Sequence, residues 1–247
     1  MADQIKGFCK YCGAEHTKGG MLRHLATCKK RKARLNQENG KIRCGYFQIA
    51  IYEKYEKKYW LIIEINENAT LKELDEFIRD VWMECCGHLS VFGINGVEYE
   101  VCPDTDGFFE PPTRSMDYKL KDVFTVGETA IYEYDFGSTT ELTLNVHSHR
   151  MGEWKSEKIT ILSRNNPLEI LCSQCGSNRA QWINPQGLYD GNAFWCDECL
   201  PEECAEDESE EYYGLEFLLP VCNSPRMGVC GYEGSYIYPD QFEPDER

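Results

Sequence analysis

The chain has 247 residues, 42% of them hydrophobic, with 15 Tyr, 11 Phe and 14 Cys and a formal charge of −16. That content supports a folded core; no apolar run approaches the ~18 residues of a membrane span, and the first residues lack the apolar stretch of a secretory signal. The expected compartment is the cytoplasm, with no membrane partner, and there the cysteines imply reduced thiols and metal sites rather than disulfides.

The charge is unevenly spread. Residues 1–41 hold ten Lys or Arg against three acids, a net +7, which leaves −23 for the remainder. An acidic body is a poor surface for nucleic acid, so any such contact is expected at the front. Cys9, Cys12, His24 and Cys28 follow the spacing C-x2-C-x11-H-x3-C. A thiolate knuckle followed by two ligands one helical turn apart is the arrangement that tetrahedral zinc takes. The segment "MLRHLATC" resembles the helix of a two-cysteine, two-histidine zinc finger with a cysteine in the last place. A segment this short buries little, so the metal is expected to supply its folding energy. The base-reading positions of such a helix hold Thr17, Gly20 and Arg23, of which only Arg23 reads a base well. The helix is expected to run on through Lys29, Lys30, Arg31, Lys32 and Arg34, whose charges surround it and suit phosphate contact. Asn39-Gly40 supplies a stop signal.

After Gly40 the period changes. "IRCGYFQIAIYE" and "YWLIIEI" read as strands, rich in aromatic and β-branched residues. "NATLKELDEFIRDVWM" reads as the main helix. Thr70 and Glu73 form its capping box, and Leu71, Leu74, Phe77, Ile78, Val81 and Trp82 its apolar face. Asn95-Gly96 marks a hairpin within "HLSVFGINGVEYEV". "KLKDVF" is a short helix. "ETAIYEYDF" and "ELTLNVH" form a second hairpin, and "EKITILS" a further strand. Hairpins packed on one main helix give an α+β domain. His147 and His149 alternate onto one strand face but lack further ligands. Asp135 is read as a turn cap before Gly137, and His88 as a packed strand residue.

Three stretches carry a family resemblance: "TLKELDEFI", "HLSVF" and "KLKDVFTVGETAIYEYDFG". Over roughly residues 42–163 the chain resembles the plasmid ORF-3-like family of the Ri-plasmid type, some relatives of which are labelled TnpR-like passenger proteins of an insertion sequence. The tail "LPVCNSPRMGVCGY" resembles a segment of some members. The resemblance implies an α+β domain and an association with mobile elements, and no established reaction. Members usually continue past Tyr-Asp-Phe-Gly with Asp, Trp and His; this chain has Ser138, Thr140 and Leu142 there, which points away from an enzyme.

Cys172, Cys175, Cys196 and Cys199 follow C-x2-C-x20-C-x2-C, a zinc-ribbon pattern. Four thiolates close the coordination sphere, so the site is expected to be structural. Trp182, Ile183, Tyr189, Phe194 and Trp195 lie between the knuckles as its small apolar packing. Residues 197–211 then carry nine Asp or Glu and no base, which suits a solvated segment or a docking surface for a basic partner. Cys204 is read as a spare thiol. Cys44, Cys85, Cys86, Cys102, Cys222 and Cys230 are read as small buried hydrophobes.

The expected organisation is a finger and basic helix at 1–41, the α+β domain at 42–171, a ribbon at 172–204, and an acidic linker with a returning segment at 205–247. Two structural zinc ions per chain are expected. The expected function is that of a non-enzymatic accessory protein. Its finger contacts nucleic acid and its acidic body faces a protein partner. The alternative is a protein-interaction adaptor whose basic helix binds an acidic protein.

Overall fold

The computed structural model describes residues 5–103, 112–189, 191–200 and 217–245. The acidic run beyond Leu200 and Cys204 lie outside them. The chain forms two units: one holds the chain up to Arg79, His88–Asn166 and the segment from Gln241; the other holds Asp80–Gly87 and Pro167–Asp240.

The first unit is built on strands β3 (Arg43–Glu53) and β4 (Trp60–Asn66), which pair antiparallel from Tyr46 with Asn66 to Tyr52 with Trp60. Every residue of β4 is buried, so both faces of this strand are covered. The two-residue period puts Trp60, Ile62 and Glu64 on one face and Leu61, Ile63 and Ile65 on the other. Around this pair stand β5 (Ser90–Ile94), β6 (Val97–Glu100), β7 (Arg114–Ser115), β8 (Thr129–Tyr134), β9 (Thr140–Glu153) and β10 (Ile159–Arg164). The eight strands take the order β10-β4-β3-β9-β8-β5-β6-β7, antiparallel except for the parallel β6–β7 contact. The described residues are therefore mixed α+β, mostly strand.

Helix α3 (Leu71–Ile78) starts where the sequence puts it. The Thr70 side chain accepts from the Glu73 N–H and the Glu73 carboxylate accepts from the Thr70 N–H, a complete capping box. A π-helical turn, Arg79–Met83, continues it. Leu71, Leu74, Phe77 and Ile78 are buried. So is Asp75, whose carboxylate accepts from Ser90 Oγ at 2.6 Å, from Tyr132 Oη at 2.8 Å and from Arg79 Nε at 2.8 Å. These bonds tie α3 to β5 and β8.

The front of the chain belongs to this same unit. A hairpin of β1 (Lys6–Phe8) and β2 (Glu15–Thr17) leads into α1 (Lys18–Thr27), and α2 (Lys29–Asn36) follows. Met21 and Leu25 of α1 share one buried cluster with Ala50, Trp60, Ile62 and Leu162. The finger thus covers the Trp60–Ile62 face of β4, and the expected boundary at residue 41 does not separate it from the body. A four-residue helix, α4 (Leu120–Val123), completes the unit's helices among the described residues. With its π-helical continuation to Met83, α3 makes a longer helical run than α1 or α2.

The second unit is smaller. Strand β11 (Trp182–Ile183) pairs antiparallel with β12 (Phe194–Trp195) and with β13 (Leu219–Pro220). Among the described residues, no helix is long and apolar enough to cross a membrane.

Candidate metal centres and the basic helix

The hairpin turn between β1 and β2 presents Cys9 and Cys12, and α1 with its C-terminal cap presents His24 and Cys28. Their ligand atoms all lie within 4.8 Å of one another, with Cys12 Sγ 3.2 Å from His24 Nε2. Thr17 caps α1. His16 stacks on His24 with ring centroids 4.4 Å apart, which holds the His24 ring in place. Cys9 is fully buried, and burial pushes its thiol up to about 12. A divalent cation reverses that preference by taking the thiolate as a ligand.

In the second unit Cys172, Cys175, Cys196 and Cys199 form a like group within 4.8 Å. Hydrogen bonds, first from the Ser177 side chain and then from backbone N–H groups of Asn178 and Ser177, hold the Cys175 thiol down at about 6. The Asn178 side-chain amide stands 3.7 Å from Cys196 Sγ.

The two knuckles are built alike. Each Cys-x-x-Cys is followed by a glycine at positive φ, Gly13 at 68° and Gly176 at 65°. Each glycine N–H donates to the carbonyl of the first cysteine at 2.9 Å. The glycine after each pair is visible in the sequence as Cys-Gly, and its role is to turn the chain so that both sulfurs face one point.

The basic helix departs from expectation in two ways. First, α1 ends at Cys28, whose backbone (φ −56°, ψ 117°) breaks the helix, and α2 starts afresh. Second, Arg31 does not face solvent. It is 8% exposed; its Nη1 donates to the Leu25 carbonyl at 3.0 Å and its Nη2 to Glu64 at 3.0 Å. Arg31 is thus an anchor and is withdrawn from the phosphate-contact set. Lys29, Lys30, Lys32 and Arg34 are exposed. The base-reading positions border a cleft. Thr17, Gly20 and Arg23 line a cleft of ≈ 550 Å³ whose other wall is Glu56, Lys57, Lys58 and Trp60. Arg23 itself is exposed.

Asp135 sits at φ 65° and accepts from the N–H of Gly137 at 3.1 Å and of Ser138 at 3.3 Å, as a turn cap does. His88 lies just before β5 rather than within it, edge-on to Tyr134. His149 pairs with Glu67 at 2.8 Å, and the β3–β9 register shifts at His147. Among the described residues neither His147 nor His149 joins a metal-ligating group.

The remaining cysteines divide. Cys44 and Cys222 are buried as expected. Cys86, Cys102 and Cys230 are exposed and Cys85 is half-buried, so these four are not core hydrophobes. The fold brings Cys230 beside Cys85 and Cys86 from far along the chain, which spacing alone does not reveal.

A match to a known family covers the centre of the chain. Residues 46–168 match the family model described as plasmid pRiA4b ORF-3-like protein, which supports the resemblance carried by "TLKELDEFI" and "YEYDFG". The match leaves out the whole of the finger module and the ribbon cysteines. A crystal structure of a protein of unknown function from Methanosarcina mazei Go1 aligns with 49% of this chain and 68% of its own, at 22% identity and a TM-score of 0.40. No curated protein matches the chain.

Proposed function

We propose that this chain is a non-catalytic, zinc-stabilised accessory protein that contacts nucleic-acid phosphates through α2. Zinc is the cation favoured both by a set of three cysteines with one histidine and by a set of four cysteines. Each set fills a tetrahedron with protein ligands, which leaves no position for a reacting water. The observation that carries the phosphate reading is the division of labour within α2. Arg31 turns inward to Glu64, while Lys29, Lys30, Lys32 and Arg34 stay exposed on a helix that cannot swing away. Exposed cations on an otherwise acidic protein make a local phosphate contact, which carries no base readout of its own. A role around mobile DNA is what the family resemblance implies, as analogy.

The test uses the full chain, zinc-loaded, with labelled duplex DNA of several sequences. The expected result is weak binding with little sequence preference. Four phosphate contacts give a slope of log affinity on log salt of about −3 to −4. Replacing Lys29, Lys30, Lys32 and Arg34 with Glu should weaken binding at least about tenfold. Equal binding by that variant, or none by the wild type at low salt, would overturn the proposal. The adaptor reading, with an acidic protein on the same helix, would then stand.

A further inference from the structure

We propose a third metal site in the second unit, formed by the thiolates of Cys85, Cys86 and Cys230 and suited to a thiophilic d10 cation of the zinc class. Cys86 Sγ lies 3.2 Å from Cys85 Sγ and 3.8 Å from Cys230 Sγ, and the three sulfurs lie within 4.8 Å of one another. Ligands about 2.3 Å from a tetrahedral zinc stand roughly 3.8 Å apart. A disulfide needs roughly 2.05 Å. The 3.8 Å between Cys86 and Cys230 is that of ligands around a shared ion and is close to the 4.0 Å between Cys175 and Cys196 in the ribbon group; the neighbouring Cys85 and Cys86 stand closer, at 3.2 Å, and still well beyond a disulfide bond.

The fold holds this spacing from both sides. Trp82 is buried and its Nε1 donates to the Asn223 carbonyl at 3.1 Å, while Ser224 Oγ donates back to the Trp82 carbonyl at 2.7 Å. This reciprocal pair pins the segment of Cys85 and Cys86 to the segment of Cys230. Cys230 itself adopts φ 51°, a left-handed conformation that non-glycine residues rarely take. The Val229 N–H donates to the Arg226 carbonyl and the Tyr232 N–H to the Val229 carbonyl, both at 3.0 Å, and these turns hold Cys230 in place. Strain of this kind persists where the surroundings over-determine it, and it tends to sit at functional positions.

Three thiolates leave one tetrahedral position for an imidazole or a water. Cys86 and Cys230 are exposed, whereas the finger and ribbon groups each contain two buried cysteines. The third ion is thus the one most open to exchange.

The experiment is metal analysis of the intact chain, prepared with zinc under reducing conditions, with intact mass measured on the same samples. Wild type should hold three zinc ions. Cys230→Ser and Cys86→Ser should each hold two, with the loss unaffected by changes at Cys9 or Cys172. Stepwise chelation should remove one ion from wild type ahead of the others, and that early step should be missing from both variants. Cobalt-loaded wild type should show more sulfur-to-metal charge-transfer absorption than Cys230→Ser. Two ions in wild type, equal content in wild type and both variants, or a mass two hydrogens lighter from a disulfide among these cysteines would each overturn the site. None of these readouts depends on nucleic-acid binding.

Discussion

Arg31 shows how one side chain decides what a basic stretch can do. It shares Glu64 with Arg150, whose Nε donates to Glu64 at 2.8 Å and whose Nη1 reaches Glu38 at 3.1 Å. Glu38 also accepts the Glu153 N–H at 3.1 Å. Burial on its own would raise the Glu38 carboxyl; the Arg150 hydrogen bonds, the Glu153 N–H and the charges of Arg150 and Lys155 outweigh it and hold it below the ordinary carboxylate range. Burial opposes the shift at Glu64 as well, and Arg150 and Arg31 again overcome it. A carboxylate depressed in the folded state stabilises above its unfolded pKa, and that contribution is lost as pH falls through the folded one. Glu38→Gln should therefore cost about 1–3 kcal/mol at neutral pH, with the gap to wild type closing below about pH 4. Urea titrations of both proteins across pH check this; a gap that persists at the acid end would contradict it. No periodicity marks Arg31 as inward in "CKKRKARL", because its partner Glu64 lies 33 residues on in another element. The two four-residue groups of Cys and His were legible because metal chemistry writes itself into spacing.

Among the elements, α3 was the most legible, since capping box and apolar stripe are both local. Its buried carboxylate was not. Asp75 reads as a polar position on an amphipathic helix, yet it gathers Ser90, Tyr132 and Arg79 in a buried network. Burial, and then the charge of Asp75, push the Tyr132 phenol well above its usual range, so the phenol stays a donor. Asp75→Asn keeps the shape, removes the charge facing Arg79 and puts an amide donor near other donors. The expected cost is about 3–5 kcal/mol, as for breaking a buried pair, read as a lower urea midpoint at unchanged m-value. Tyr132→Phe should cost less, about 0.5–1.5 kcal/mol. Equal costs in the two variants would argue against a charge-centred network. The knuckles offer a second test at this scale. Gly13→Ala and Gly176→Ala each force a Cβ into left-handed backbone, a penalty of about 1 kcal/mol or more. Each should weaken zinc retention against a chelator several-fold at its own site alone.

At the scale of the molecule, the sequence suggested a finger that folds apart from the body, because four ligands and a short helix look self-sufficient. The continuous apolar run "WLIIEI" held the contrary signal: a strand buried on both faces needs a second cover, and the finger provides it. Losing the finger would expose Trp60, Ile62 and Leu162 and strip Glu64 of Arg31. Each fully buried side chain of that size contributes roughly 1.5–3 kcal/mol, so the loss is large against a domain's whole stability of about 5–15 kcal/mol. Cys9→Ser should thus do more than remove one zinc ion. It should lower the thermal midpoint of the first unit by several degrees and speed amide exchange in β4 and β10, which carry Ile62 and Leu162. Cys172→Ser should remove an ion too, yet leave exchange in β4 and β10 as in wild type, since the ribbon cysteines belong to the second unit. Hydrogen exchange with mass analysis of peptides spanning residues 60–66 and 159–164 separates the two. Unchanged protection there in Cys9→Ser would show that the finger rests on the sheet without supporting it.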